Sequence, residues 1–462
     1  MRPDPMRHGP ASRDQAPGTR RGIILIVVLW VFAGLSLFMY SFLHGARVER
    51  EISAGAADRL RAQALANSAV EYTIAALLED STAADGPWDI WYDNRERFLD
   101  VAVEDPAGGR EPFGRFTVFK SDYLVDNVPL QYGPEDEAGK IHLNTATRDM
   151  LLRLTPRVTD AVVDAIIDWR DADEVPGSAG AESNYYLGLA KPYRCKNAPF
   201  ESVEELLYVK GVDAMVLYGE DWNRNGLLDP NENDGAETDP PDNADGILET
   251  GLWHLCTVHS FDLNVSEDGQ PRVNINTASL PELQSVLGDK VSEEQIREIV
   301  VGRVNGPYPS VAALLFLPRW DNAAFQAVAD RVTIVDTAQI PGLVNVNTAP
   351  RQVLLALPGM TEDIADALIV QRAQSSEPLD NIGWLLNVMD RTLFAQIANY
   401  ITVHANPFSI QAVGWVPNTR GLPPVYCRIW TVVDMSASPP RVLALKDLSS
   451  LGFPYPLEGI SD

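Results

Sequence analysis

Between Asp221 and Glu232 the chain reads DWNRNGLLDPNE. Side-chain oxygens fall at positions one, three, five, nine and twelve of a twelve-residue loop: Asp221, Asn223, Asn225, Asp229 and Glu232. Gly226 stands at position six and the Leu227 carbonyl at seven. A hard divalent cation takes roughly six to eight oxygens, and alternate residues of a tightly curved loop aim them inward. The spacing therefore predicts a bound Ca2+. No amphipathic helix follows directly, which points to a structural clamp rather than a sensor. Asp239, Asp242, Asp245 and Glu249 form a second candidate ion group, or only tether the acidic stretch 219–249. Other chemistry is thinly supported. Cys195, Cys256 and Cys427 are too few for a framework, although Cys195 with Cys256 could form one disulfide in an oxidising exterior. No HExxH, GxSxG, Walker loop or Cys-x-x-Cys is present, and the histidines are scattered. The expectation is that the protein is not an enzyme.

An internal repeat must position these residues. Ile141-His142-Leu143-Asn144-Thr145-Ala146 matches Val273-Asn274-Ile275-Asn276-Thr277-Ala278, and both match Val344-Asn345-Val346-Asn347-Thr348-Ala349. Each copy reads as a short strand ending at Asn-Thr, residues that cap helices. An apolar-periodic helix follows, with Pro350 just inside the third. Tight turns then open second helices at 161–169, 293–303 and 362–372, a helix-hairpin-helix (SAM-like) pattern. A partial fourth copy is read at 200–211. His142 stands where the other copies have Asn, and is read as structural. Such units often bind DNA through hairpin amides and nearby basic groups. Here the turns lead into Asp160, Glu293-Glu294 and Glu362-Asp363, which repel phosphate. With a net charge of −27, the sequence predicts no nucleic-acid partner.

The repeats hang on an N-terminal anchor. Ile23 to Leu43 carries no charge, and about 20 apolar residues span a bilayer core. Arg2, Arg7, Arg13, Arg20 and Arg21 precede it, so the positive-inside bias places the amino terminus in the cytoplasm and the body across the membrane. Val48, Ile52, Ala56, Leu60, Ile74, Leu77 and Leu78 continue an apolar face, predicting one helix to about Asp80. Alternation at 98–103 and 114–119 predicts strands, as does composition at 400–404, 408–416, 425–435 and 441–445. At 462 residues there is room for roughly two to four domains.

The basic leader, Gly22, and a helix that is half membrane span and half amphipathic stem resemble type IV pilin-like precursors. That resemblance implies cleavage between Gly22 and Ile23 by a prepilin peptidase, and a methylated amine. Most such proteins carry Glu at mature position five, where this chain has Val27. Together with the inserted repeats and the acidic loop, this resembles the K-type minor pseudopilin of type II secretion (the GspK family), whose members lack that Glu. The resemblance implies an α+β fold: a long N-terminal helix, transmembrane then amphipathic, a pilin-like antiparallel sheet, and a large inserted α-helical domain. The expected division is a leader at 1–22, a helix at 23–80 (23–43 transmembrane) and a first pilin-like part at 85–140. The inserted helical domain follows at 141–340, then a third repeat at 341–400 and closing strands at 401–462. It further implies a single-pass inner-membrane protein with a periplasmic body at the pseudopilus tip. Its implied partners are the I and J minor pseudopilins, the major pseudopilin, the prepilin peptidase and the inner-membrane secretion platform. Bound Ca2+ in the helical domain is implied as well.

Overall fold

A computed structural model describes residues 20–80, 84–105, 108–109, 112–121, 130–238, 240–375, 377–417 and 423–455, with side chains from Ile24 onward. The uncharged apolar run contains no proline, and a helix spans Arg20–Leu78. From Ile24 to Leu43 its large side chains are exposed, and among the described residues this is the one helix long and apolar enough to cross a membrane. Residues up to Leu60 form one compact unit and those from Arg61 a second.

Within the second unit the helix changes character. Ala62, Leu65, Ala66, Ala69, Val70, Ala76 and Leu77 are buried, a narrow stripe of mostly small side chains at helical spacing. They lie on an antiparallel sheet whose strand order is Val101–Val103, Gly114–Phe119, Pro407–Val416, Val425–Asp434 and Arg441–Asp447. Glu135–Asp136 pairs with the start of the third strand. The small residues matter because helix and sheet nearly touch: a Cβ on Gly414 would strike the backbone of Ala62 and Ala66. Phe98, Phe116, Val118, Ile410, Ala412 and Val433 fill this interface. Phe98, expected in a strand, closes the helical turn Arg95–Phe98 instead, where Asn94 caps the N–H of Arg97.

Between Asp136 and Pro407 the chain leaves the sheet and builds three related units. Each opens and closes with a two-residue strand, and the two strands pair in parallel: Ile141–His142 with Cys256–Thr257, Val273–Asn274 with Val332–Thr333, and Val344–Asn345 with Ile401–Thr402. The expected strand at 400–404 therefore belongs to the third unit and not to the final sheet. Its partner lies 57 residues upstream, outside any local pattern. The opening strand leads to two helices: Arg148–Leu152 and Asp160–Arg170, Leu280–Leu287 and Glu293–Gly302, or Arg351–Ala356 and Glu362–Gln374. A 3-10 turn follows at Val203–Tyr208, Val311–Phe316 or Ile382–Asn387, then a last helix. The segment 200–211 is thus the second half of the first unit and not a fourth copy.

Two side chains lock each unit, and the same two recur. The repeated Asn does not cap the helix. Asn144 accepts from the N–H of Phe200 at 2.7 Å and donates to its carbonyl at 3.0 Å, and Asn276 does the same to Tyr308 at 2.7 and 3.0 Å. Asn347 donates to the Leu379 carbonyl. These bonds pin the strand end to the chain entering the 3-10 turn. The caps lie further on: the Thr147 hydroxyl accepts from Met150 N–H, Ser279 forms a reciprocal box with Glu282, and Pro350 occupies the cap position itself, one residue before the helix. The second lock is an arginine ending each second helix. Arg170 donates to the carbonyls of Leu143 and Ala146, Arg303 to Ile275 and Ala278, and Arg372 to Val346 and Ala349. Five guanidinium N–H donors in a fixed fork suit this turn of convergent carbonyls.

Candidate metal centre

The acidic loop is an insertion in the first unit, between the helix Ala214–Tyr218 and the short helix Leu252–Leu255 that leads into the strand Cys256–Thr257. Gly226 has φ +73°, the left-handed turn that a twelve-residue cation loop needs at position six, and a side chain there would collide with Ser121. Asp221 is fully buried; its carboxylate accepts the N–H of Asn225 at 2.9 Å and of Gly226 at 2.8 Å. Asn223 Oδ1 accepts from Asn225 N–H, and Asn225 Oδ1 from Leu227 N–H. Both amides donate to Asp229 Oδ2, at 2.6 and 2.9 Å. Buried Glu232 closes the ring, accepting from the N–H of Trp222 and of Asp229. The side chain of Leu227 packs beside Phe119 and Val413.

Burying acids without a counter-charge is costly. Burial pushes the Asp221 carboxyl up to about 6. Burial and the neighbouring Asp221 charge push Glu232 up to about 8. The donor set is oxygen only. A hard cation would relieve both shifts, so these residues fit the ion their spacing implies.

Residues beyond the motif seat the loop on the sheet. Buried Arg428 donates to the carbonyls of Asn223 and Arg224, and Gln411 donates to that of Arg224. His254 Nε2 lies 3.3 Å from Asp221, and burial pushes its pKa well down, so it faces the carboxylate as a neutral ring. Loop spacing carries no signal for partners about 200 residues away; the adjacent acid Glu220 did carry one. Its carboxylate accepts from Asn243 and Glu249 N–H and fixes where the insertion returns.

Among the described residues of the second candidate group, Asp242, Asp245 and Glu249 do not gather. Asp242 accepts from the backbone of Asp234, Gly235 and Ala244, Asp245 from Ile247, and Glu249 pairs with Arg157 and Asn243. Asp239 lies outside the described residues. The pairing of Cys195 with Cys256 is not formed: both are free and buried. Cys195 donates to the Asp168 carbonyl, whereas Cys256 sits in the strand paired with Ile141–His142. His142 is structural. Its Nδ1 accepts from Asn144 N–H at 3.2 Å, as Asn274 and Asn345 accept from Asn276 and Asn347. Burial lowers its pKa to about 4, which keeps that nitrogen an acceptor. Gly22 and Ile23 lie in the first turn of the long helix, their side chains outside the described set; Val27 is exposed on it.

Comparison with known proteins falls on the repeat units. Residues 143–218 and 344–403 each match the family described as type II secretion system (T2SS), protein K. A protein K from Pectobacterium carotovorum is 29% identical over 112 residues, 24% of this chain and 34% of that protein. The mouse endonuclease/exonuclease/phosphatase family domain-containing protein 1 is 32% identical over 190 residues, 40% of this chain and 26% of the relative. The matches thus span about a quarter to a third of these relatives' length. Among solved structures, the GspK-GspI-GspJ complex of enterotoxigenic Escherichia coli overlaps loosely (TM-score 0.41, 13% identity), over 87% of this chain and 98% of that one. The segments that resemble the type II secretion system protein K family thus fall on the first and third of the repeat units.

Proposed function

We propose that the chain is a K-type minor pseudopilin at the tip of the type II secretion pseudopilus, where it initiates or caps assembly and supports export across the outer membrane. The observation that carries this reading is the pairing of a pilin-like stem, apolar at Val27, with two protein K segments. In a filament the carboxylate at mature position five of each subunit pairs with the terminal amine of the subunit above. A tip subunit has none above it, and a Glu there would be a buried charge without a partner. Val27 avoids that cost. The body lies in the periplasm, held in the inner membrane by 23–43 once the leader is cut between Gly22 and Ile23. The three units are helix-hairpin-helix elements used for protein docking. The partners are the I- and J-type minor pseudopilins, the major pseudopilin, the prepilin peptidase and the secretion platform. Asp221, Asn223, Asn225, Leu227, Asp229 and Glu232 hold a calcium ion that neutralises the buried acids and stiffens the insertion against the sheet.

Co-expression with I- and J-type subunits of the same system tests the assembly role. The full chain should co-purify with both, and Val27→Glu should impair secretion or change the order of assembly. Normal secretion and assembly by Val27→Glu would sink the argument from that residue. Failure to capture either subunit would sink the tip assignment.

A further inference from the structure

The second and third units pack as a reciprocal pair, and a cavity lies where they meet. Their last helices are Asn322–Gln326 and Arg391–Ile397. Each lies against the 3-10 turn of the other unit. Phe325 and Phe394, equivalent residues of the two units, meet edge to face with ring centroids 5.4 Å apart. Side chains cross in both directions: Gln326 donates to the Gly383 carbonyl at 2.9 Å, and Asn399 to the Pro309 carbonyl at 2.8 Å. The chain after each helix reads alike, Ala329-Asp330-Arg331-Val332-Thr333-Ile334 against Ala398-Asn399-Tyr400-Ile401-Thr402-Val403.

The cavity measures about 270 Å³, and its walls are equivalent residues of the two units: Val311 and Ile382, Ala329 and Ala398, Val332 and Ile401. An apolar cavity of roughly 150 Å³ already takes benzene, so this one admits a larger body. The pseudo-symmetry breaks at one corner. Asp330 stands opposite Asn399, and His404 stands where the second unit has Val335. His404 Nε2 lies 3.9 Å from Asp330, and its Nδ1 3.5 Å from buried Asp262. Arg272 spans the two acids, 3.1 Å from Asp262 and 3.2 Å from Asp330. Among the described residues it is the one Lys or Arg lining the cavity. Asp380 adds a third carboxylate beside them; burial and the Asp330 charge push its pKa up. Even with His404 charged, three negative groups face two positive ones.

We infer that this cavity binds a small organic cation, a primary ammonium group carried on a compact aliphatic or aromatic body. The paired apolar walls take the body out of water. The corner acids accept from the ammonium, whose N–H groups form charge-assisted hydrogen bonds to carboxylates. The same acids repel a ligand that carries a carboxylate or phosphate in place of the amine.

The test uses the full chain in lipid nanodiscs, labelled at its isoleucine methyl groups and titrated with phenethylammonium chloride by NMR. Saturable shifts should appear at Ile334, Ile382 and Ile401, which line the cavity, and not at Ile166 of the first unit. Propylbenzene, the neutral isostere, and 3-phenylpropionate, the acid, should bind about tenfold more weakly or worse. Ala398→Leu fills the cavity and should abolish the shifts without lowering Tm. Asp380→Asn should weaken binding about threefold, and with the ligand series it decides the matter even if Ala398→Leu fails to fold. Absence of saturable shifts, shifts spread over the whole body, or unchanged binding by a folded Ala398→Leu chain would overturn the site. Equal binding of propylbenzene, or unchanged binding by Asp380→Asn, would overturn the cation assignment. A lysine side chain of a partner carries the same head, so Nα-acetyl-lysine amide is the second probe. Tighter binding of that probe than of phenethylammonium would overturn the free-ligand reading.

Discussion

The first repeat unit and the other two share a frame and differ in what is hung on it. All three close with a parallel strand pair, an asparagine bonded to the chain entering the 3-10 turn, and an arginine gripping two carbonyls. The second unit runs from Arg303 to its 3-10 turn at Val311, and the third from Arg372 to Ile382, directly. The first spends 171–199 on an excursion and opens again at 219–251 for the acidic loop. Where the sequence is common to the three units it maintains the fold. Where the first unit departs, it gathers buried carboxylates.

That contrast can be broken at the frame. Arg372→Ala leaves two buried carbonyls without their charged donor, and hydrogen bonds to charged groups contribute about 1.5–3 kcal/mol each. Urea unfolding of the full chain in detergent should show a loss of about 3 kcal/mol or more; a loss below about 1 kcal/mol would mean the arginine is not a lock. Asn276→Ala removes both bonds to Tyr308 and should cost about 2 kcal/mol. A cost matching a mere lost cap, about 1 kcal/mol or less, would favour the capping role instead.

It can also be sharpened with pH. Unfolded Asp and Glu titrate near 3.9 and 4.3, whereas Asp221 and Glu232 are raised to about 6 and about 8 in the fold. Without calcium the folded state holds more protons than the unfolded state across that window. Its stability should therefore fall as pH rises from about 4 to 8. The rise in Tm on adding calcium should grow over the same range, since the ion binds the deprotonated acids. A calcium effect independent of pH would contradict this. The smallest effect concerns Val301 and Val304 of the second unit, 67% and 86% exposed. Val301→Asp with Val304→Asp should change stability by no more than about 0.5 kcal/mol. A larger loss would mean those valines pack against something.

The sequence made plain what local chemistry dictates. The twelve-residue loop, the three Asn-Thr turns, the second helices and the long apolar helix all declare themselves within a few residues. Roles set by distant partners did not. An Asn before a helix looks like a cap, because the chain it clamps lies 32 residues on for Asn276 and 56 for Asn144. Ile401–Thr402 looks like another strand of the closing sheet, because parallel pairing with Val344–Asn345 leaves no local signature.

The most direct test of the pseudopilin reading is intact mass with amino-terminal sequencing of the chain recovered from membranes that also contain a prepilin peptidase. A mature protein beginning at Ile23, with a methylated amine, is the expected result. An uncut chain, or one cut at another position, would contradict it.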